Sequence, residues 1–164
     1  MQLQSKAVGI PIVQVKTSWE DYEENFRKVV KELKEKGVEG GVFGDIDLEE
    51  HREWIRRICT ELGIKPLLPL WGIGPEELLA DFCNLGFRAV VVATRLDESL
   101  LGRNLDRAFL IDIQKFDCHP CGEAGEYHTF VTNGPIFKKL LKITQGKREK
   151  RDDVWFLELS AELE

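Results

Sequence analysis

Two stretches of the chain concentrate side chains able to do chemistry. The denser is Pro120-Cys121-Gly122-Glu123-Ala124-Gly125-Glu126-Tyr127-His128-Thr129-Phe130, a loop leading into a strand with two glycines, two carboxylates and a histidine. Loops that hold ionisable groups on a rigid frame are a favoured setting for function. Glu126 and His128 stand two apart, so on a strand they project from the same face. A carboxylate beside an imidazole suits a substrate grip or proton transfer near neutral pH. The structural alternative is an ordinary loop with a surface Glu–His pair.

The second stretch is Gly44-Asp45-Ile46 followed by His51-Arg52. Ligands of open α/β sheets bind beyond the carboxyl ends of the strands, where Asp45 falls after the apolar pair Val42-Phe43. Gly44 allows a ligand to approach the backbone closely. His51 and Arg52 lie within two turns of a helix start, whose free N–H groups favour anions. The alternative makes Asp45 a turn residue and His51 a half-core histidine on a helical stripe.

Cys118 and Cys121, near His119 and His128, supply at most half of a zinc site. Cys59 and Cys83 fall in helical stripes without paired spacing, so no metal site is expected. A thioredoxin-like pair would need a strand-then-helix context that is missing here. The chain contains neither Gly-x-Gly-x-x-Gly nor a P-loop with Gly-Lys-Ser/Thr.

The elements that must position these residues follow from periodicity. Residues 3–8 form the end of a helix and run into 9–15, which has the composition of a buried strand. Ser18 is expected to cap a helix whose stripe is Trp19, Tyr22, Phe26, Val29, Val30 and Leu33, closed by Gly37. A short strand at 40–44 precedes a helix capped by Asp47 and Glu50, with Leu48, His51, Trp54, Ile55, Ile58 and Leu62 on one side and Gly63 at its end. An extended segment follows at 64–71. Strands alternating with helices of this length imply a parallel sheet.

The pattern breaks at 72–75, which suggests domains over 1–73 and 74–164. The second part begins with a helix from Pro75 to Gly86 and a buried strand at 89–93. Residues 95–125 are rich in loops. Residues 126–132 and 154–159 alternate like strands with one wet face, and the charged run 147–153 is expected to be their solvated connection.

Composition narrows the function classes. The 164 residues carry 23 Lys and Arg against 29 Asp and Glu, a net charge of -6 that argues against a general nucleic-acid or membrane-surface binder. No apolar run approaches the ~20 residues of a membrane span, and the first residues do not form a signal peptide. Four unevenly spaced cysteines exclude a secreted disulfide framework, so the cytoplasm is the expected compartment.

Taken together, Gly44-Asp45-Ile46 with His51-Arg52, Pro69-Leu70-Trp71, Leu101-Gly102-Arg103, the loop 120–130 and Asn133-Gly134-Pro135-Ile136-Phe137 resemble, in order, the diphthine–ammonia ligase family of N-type ATP pyrophosphatases. The resemblance implies a Rossmann-like parallel sheet of the adenine nucleotide alpha hydrolase type, N-terminally incomplete here, followed by a smaller α+β C-terminal domain. It implies ATP with Mg2+, ammonium, and elongation factor 2 bearing diphthine. The implied reaction adenylates the diphthine carboxylate, after which ammonia attacks the acyl-adenylate and AMP leaves. Gly44, Asp45, His51 and Arg52 would line the nucleotide side, with Trp71 and Gly102 at the junction of the halves. Glu123, Glu126 and His128 would serve the acyl-adenylate and ammonia.

Three departures accompany the resemblance. The family's Ser-Gly-Gly-Lys-Asp-Ser phosphate loop is not among these residues, so a complementing N-terminal segment is expected, and an uncovered apolar edge around Ile10 to Val15 would invite a homodimer. His119 stands where the family usually has Asp, and Ala124 where it usually has Asn. The alternative to a ligase is a truncated homologue acting as a non-catalytic binding module.

Overall fold

The computed structural model describes residues Met1–Glu164. In chain order the elements are α1 (Gln2–Val8), α2 (Tyr22–Glu35), β1 (Gly40–Val42), α3 (Glu49–Leu62), β2 (Lys65–Leu67), α4 (Pro75–Asn84), β3 (Arg88–Thr94), α5 (Arg107–Ile113), β4 (Tyr127–Asn133), β5 (Leu141–Arg151) and β6 (Val154–Leu163). They group into two compact units, Val13–Ile73 and Met1–Ile12 with Gly74–Glu164.

In the unit Val13–Ile73, β1 and β2 form a two-stranded parallel sheet with Gly41 opposite Pro66. The strands are joined through α3, as parallel strands require a crossover. Helix α3 turns Ile55, Ile58, Cys59 and Leu62 inward, and these pack with Val30 of α2 and Ile64. Gly63 closes α3 at φ 63°, a left-handed turn that glycine adopts without strain.

Helix α2 starts at Tyr22, later than the Ser18 cap suggested. Ser18 instead accepts the Asp21 N–H at 3.2 Å in the preceding turn. Trp19 is thereby left off the helix, 92% exposed, rather than on its buried stripe. Helix α3 has Leu48 rather than Asp47 at its cap position, one residue later than expected, with no cap bond from the Leu48 side chain.

In the other unit, four antiparallel strands run in the order β4-β3-β6-β5. Strand β3 is central, and Ala89, Val90, Val91, Ala93 and Thr94 are all buried. Its core gathers Leu79, Leu100, Leu101, Leu105, Phe109, Ile113, Tyr127 and Leu157. Phe109 is fully buried and meets Tyr127 edge-on at 5.4 Å between centroids.

Residues 9–15 are not a strand. Gly9 ends α1 in the left-handed region, and the Ile10 carbonyl accepts from Ser5 Oγ. Pro11 has no N–H for a ladder, and β1 and β2 pair only with each other. Ile10, Val13 and Val15 are consequently exposed. The charged run also differs from expectation. Strand β5 continues through Arg151, and the turn is confined to Asp152 and Asp153, with Asp152 at φ 50°. Arg148–Arg151 therefore pair with β6 instead of forming a loop, and Lys147 lies in the irregularity just before them.

Candidate functional site

The loop before β4 is held by a dense set of bonds. The Glu126 carbonyl accepts from the Arg95 N–H at 2.8 Å and from the buried Thr94 hydroxyl at 3.3 Å. Those bonds tie the end of the loop to the end of β3. Glu126 Oε1 accepts from the His119 N–H at 2.7 Å, which draws the carboxylate back over the loop. Glu126 Oε2 is buried and has no hydrogen-bond partner within the chain. A buried acceptor without a partner carries a desolvation cost that a ligand N–H would relieve.

The other side of the loop is fixed by backbone turns and by Tyr127. The N–H groups of Gly122 and Gly125 donate to the His119 and Gly122 carbonyls at 2.9 and 3.0 Å. Tyr127 donates its hydroxyl to the Pro120 carbonyl at 2.5 Å. Burial pushes the Tyr127 phenol well above its ordinary range, and the neighbouring Cys121, Cys118, Glu126 and Glu123 act in the same direction. Gly122 is required for two reasons: φ is 74°, and a Cβ would lie 2.9 Å from the Tyr127 carbonyl oxygen.

His119 accepts the Cys121 N–H on Nδ1 at 3.1 Å. A backbone amide only donates, so that nitrogen carries a lone pair and any ring proton sits on Nε2. Cys121 donates its thiol to the Pro75 carbonyl, and Cys118 donates to the Ile113 carbonyl. The four cysteines are free thiols, and the His, Cys, Asp and Glu side chains nowhere gather in threes as a metal site would need. Glu123 is half-buried on the turn between Gly122 and Gly125.

His128 is exposed on β4, opposite Ala93 of β3. The alternation of β4 does place it on the opposite face from the buried Tyr127, but the Glu126 carboxylate turns to the His119 amide. Gly102 follows the short turn Glu98–Leu100 at φ 77° and donates its N–H to the Val91 carbonyl. Its own carbonyl accepts from Gln145.

In the unit Val13–Ile73, Asp45 leaves β1 at its carboxyl end and pairs with His51 of α3 at 3.0 Å. His51 is 57% exposed, so it is not a core histidine. Gly44 needs its glycine neither for φ nor for space, since a Cβ there meets nothing within 4 Å. Arg52 bonds Glu49 at 2.9 Å and lays its guanidinium 4.5 Å from the centre of the Trp71 ring. The turn after β2 is anchored to the start of α3 by the Gly72 N–H, which donates to the Ile46 carbonyl at 2.8 Å.

Sequence reasoning did not find two features of this unit. One is the aromatic cavity beside Asp45, of about 450 Å3, lined by residues of α2 and α3 that periodicity assigns to a core stripe. The other is the network joining Glu23 to Arg27, Arg57 and Trp54, with Glu61 on both arginines. The i,i+4 spacing of Glu23 with Arg27 and of Arg57 with Glu61 was its legible signal. The Arg57 guanidinium holds the Glu23 carboxyl down at about 2, with Arg27 and the Trp54 indole N–H adding to the effect.

Comparison with known proteins gives these two regions a common setting. A model of the diphthamide synthase C-terminal domain matches residues 74–162, and one of the N-terminal domain of the same enzyme matches 1–66. The chain belongs to the diphthamide synthase family. Among curated relatives, the bovine diphthine–ammonia ligase is 33% identical over 154 residues, covering 88% of this chain and 57% of the relative. The human diphthine–ammonia ligase is 36% identical over 127 residues, covering 73% of this chain and 47% of the relative. That of Schizosaccharomyces pombe is 34% identical over 119 residues, 67% of this chain and 20% of the relative. The chain thus spans about half the length of the mammalian relatives it matches and a fifth of the yeast one. No helix is long and apolar enough to cross a membrane.

Proposed function

We propose that this polypeptide takes part in the ATP-dependent amidation of diphthine on elongation factor 2, the step that yields diphthamide. The diphthine carboxylate attacks the α-phosphorus of ATP and pyrophosphate leaves. Ammonia then attacks the acyl carbon and AMP leaves, so the poor oxygen leaving group of a carboxylate is replaced by a good one. Water must be kept out, because it would compete for the activated acyl group.

The observation that carries the reading is the unpartnered, buried Glu126 Oε2 in a loop whose remaining polar groups are extensively hydrogen-bonded. It offers a fixed acceptor to an ammonium ion, and deprotonation there releases the nucleophile beside the loop. Glu123 and His128 flank it along the chain and complete the proposed ammonia side. Gly44, Asp45, His51 and Arg52 are assigned to the nucleotide side, with Trp71 holding Arg52 and Gly102 fixing the loop of its own unit.

The residues present do not form a triphosphate cradle. Arg52 is committed to Glu49 and Trp71, His51 to Asp45, and no Ser-Gly-Gly-Lys-Asp-Ser loop occurs in the sequence. No acidic cluster stands ready for Mg2+, which would arrive with the phosphates. No step is therefore routed through phosphate contacts of these residues. A segment bearing that loop would supply the cradle, and the setting would be the cytoplasm.

The test incubates the 164-residue chain with ATP, ammonium and diphthine-bearing elongation factor 2, alone and with a relative's loop-bearing N-terminal segment. AMP release and the carboxylate-to-amide mass change are followed together. Both are expected only with the segment. Equal AMP release by the chain alone would refute the phosphate-loop argument. Binding of the factor without amidation in either case would replace the ligase reading with a binding module.

A further inference from the structure

The cavity of about 450 Å3 in the unit Val13–Ile73 is walled by Trp19, Tyr22, Phe26, Phe43 and Trp54, and Asp45 also lines it. Its rings are inclined to one another. Trp19 and Tyr22 meet at 45° with centroids 6.2 Å apart, Tyr22 and Trp54 at 42° and 5.8 Å. Phe26 meets Trp54 at 64° and 5.3 Å, and Phe43 at 41° and 6.4 Å. A flat nucleobase is sandwiched best between parallel faces, which these rings do not offer. Inclined rings form a concave wall that suits a rounded group.

Charge selects which rounded group. Aromatic faces are negative, and the Asp45 carboxylate adds to that field. His51, which also lines the cavity, places Nδ1 3.0 Å from one Asp45 carboxylate oxygen and so holds that carboxyl at the rim. Arg27 and Arg57 lie behind the Trp54 edge, but Glu23 and Glu61 match them two for two. Five of the lining side chains are aromatic, so the wall offers few acceptors to a primary ammonium, which would forfeit its water shell. A quaternary ammonium has no N–H to satisfy.

The wall is also held in place. Trp54 donates its indole N–H to Glu23 Oε2 at 2.9 Å, and Glu23 is itself gripped by Arg57 and Arg27. The ring orientation is thereby set before any ligand arrives, which lowers the ordering cost of binding. Trp19, 92% exposed, and Tyr22, 43% exposed, are the two rings with surface left to cover on closing over a ligand.

We propose that this aromatic cup binds a trimethylammonium group. Diphthine carries such a group, so the cup deepens the function proposed above by assigning the element that recognises the cationic end of the substrate, with Asp45 turned to that end and Gly44 and Arg52 left to the nucleotide side. That last identification rests on the proposed function. The cup itself rests only on the rings and Asp45.

The test titrates the full chain with choline and with 3,3-dimethylbutan-1-ol, its uncharged isostere, following tryptophan fluorescence and the Trp54 indole N–H resonance. Choline is expected to bind about 10-fold more tightly than the alcohol. Trp19→Ala and Asp45→Asn alter exposed or rim side chains, leave the fold intact, and are each expected to weaken choline by about 3- to 10-fold. Equal binding of choline and alcohol, tighter binding of adenosine, or unchanged affinity in both variants would overturn the cup. A diphthine-bearing peptide should displace choline, whereas its diphthamide-free, unmodified histidine counterpart should not. Choline binding without displacement by the diphthine peptide would overturn the substrate assignment and leave the cup standing. Loss of the cup with amidation intact would leave the ligase reading standing.

Discussion

Removing the Glu126 carboxylate separates its structural role from its chemical one. Glu126→Ala deletes the charge-assisted bond from the His119 N–H at 2.7 Å, the contact that folds the loop back on itself. Hydrogen bonds to charged groups contribute about 1.5–3 kcal/mol, so the loop should lose about 2 kcal/mol. Glu126→Gln keeps an acceptor at the same place but without the charge, and the loss should fall to about 1 kcal/mol. The assay is amide exchange at His119 and Gly122, read by NMR. Because these amides report opening of the loop, about 2 kcal/mol corresponds to about 30-fold faster exchange in the alanine variant. The glutamine variant should exchange about 5-fold faster. In the amidation assay the order of the two effects should separate. Glu126→Gln keeps the loop but presents a weaker site to ammonium at Oε2, so the KM for ammonium should rise while that for ATP holds. Equal exchange in the two variants would refute the charge-assisted bond as what closes the loop. An unchanged KM for ammonium in Glu126→Gln would refute the role given to Oε2.

Other consequences are equally open to measurement. Tyr127→Phe loses the bond to the Pro120 carbonyl and should cost about 1 kcal/mol in urea denaturation. The folded phenol ionises well above the ordinary 10.0, so the unfolded chain releases that proton first and wild-type stability should fall as pH rises past 10; Tyr127→Phe should remove that extra loss. Glu23 behaves with the opposite sign. Its folded carboxyl titrates at about 2 against an ordinary 4.5, so its contribution is complete above 4.5 and disappears as pH falls towards 2. Glu23→Gln should flatten that acid limb as followed by Trp54 fluorescence, and an unchanged limb would count against the arginine pairing. Gly122→Ala should cost about 1–3 kcal/mol through its positive φ and the Tyr127 contact. Gly44→Ala should leave the melting temperature nearly unchanged, within about 0.5 kcal/mol, because open space surrounds it.

Much of the molecule was legible from local pattern. Helix α3 and its buried face follow from the spacing of Ile55, Ile58 and Leu62, and its end from Gly63. Pro75 at the first turn marked α4, and the apolar run at 89–93 marked the central strand β3. These elements are decided within a few residues of themselves, by periodicity and by the few conformations that Gly and Pro favour. Residues 9–15 failed the same logic. Apolar composition states a demand for burial, but a strand also needs a neighbour for its N–H and C=O groups, and none is offered there.

The sequence by itself determined the chemistry at hand: the loop 120–130 with its carboxylates and glycines, and Asp45 and His51 at a strand end. Their family membership is written in the same residues. Only the tertiary structure decided what each group faces. It turned Glu126 from its strand neighbour His128 to the His119 amide, left one of its oxygens without a partner, and gathered rings from α2 and α3 beside Asp45. Partners such as Glu23 and Arg57 are 34 residues apart, and Thr94 and Glu126 are 32 apart. Residue type and spacing fix what a side chain is able to do, whereas long-range packing selects the partner with which it does so.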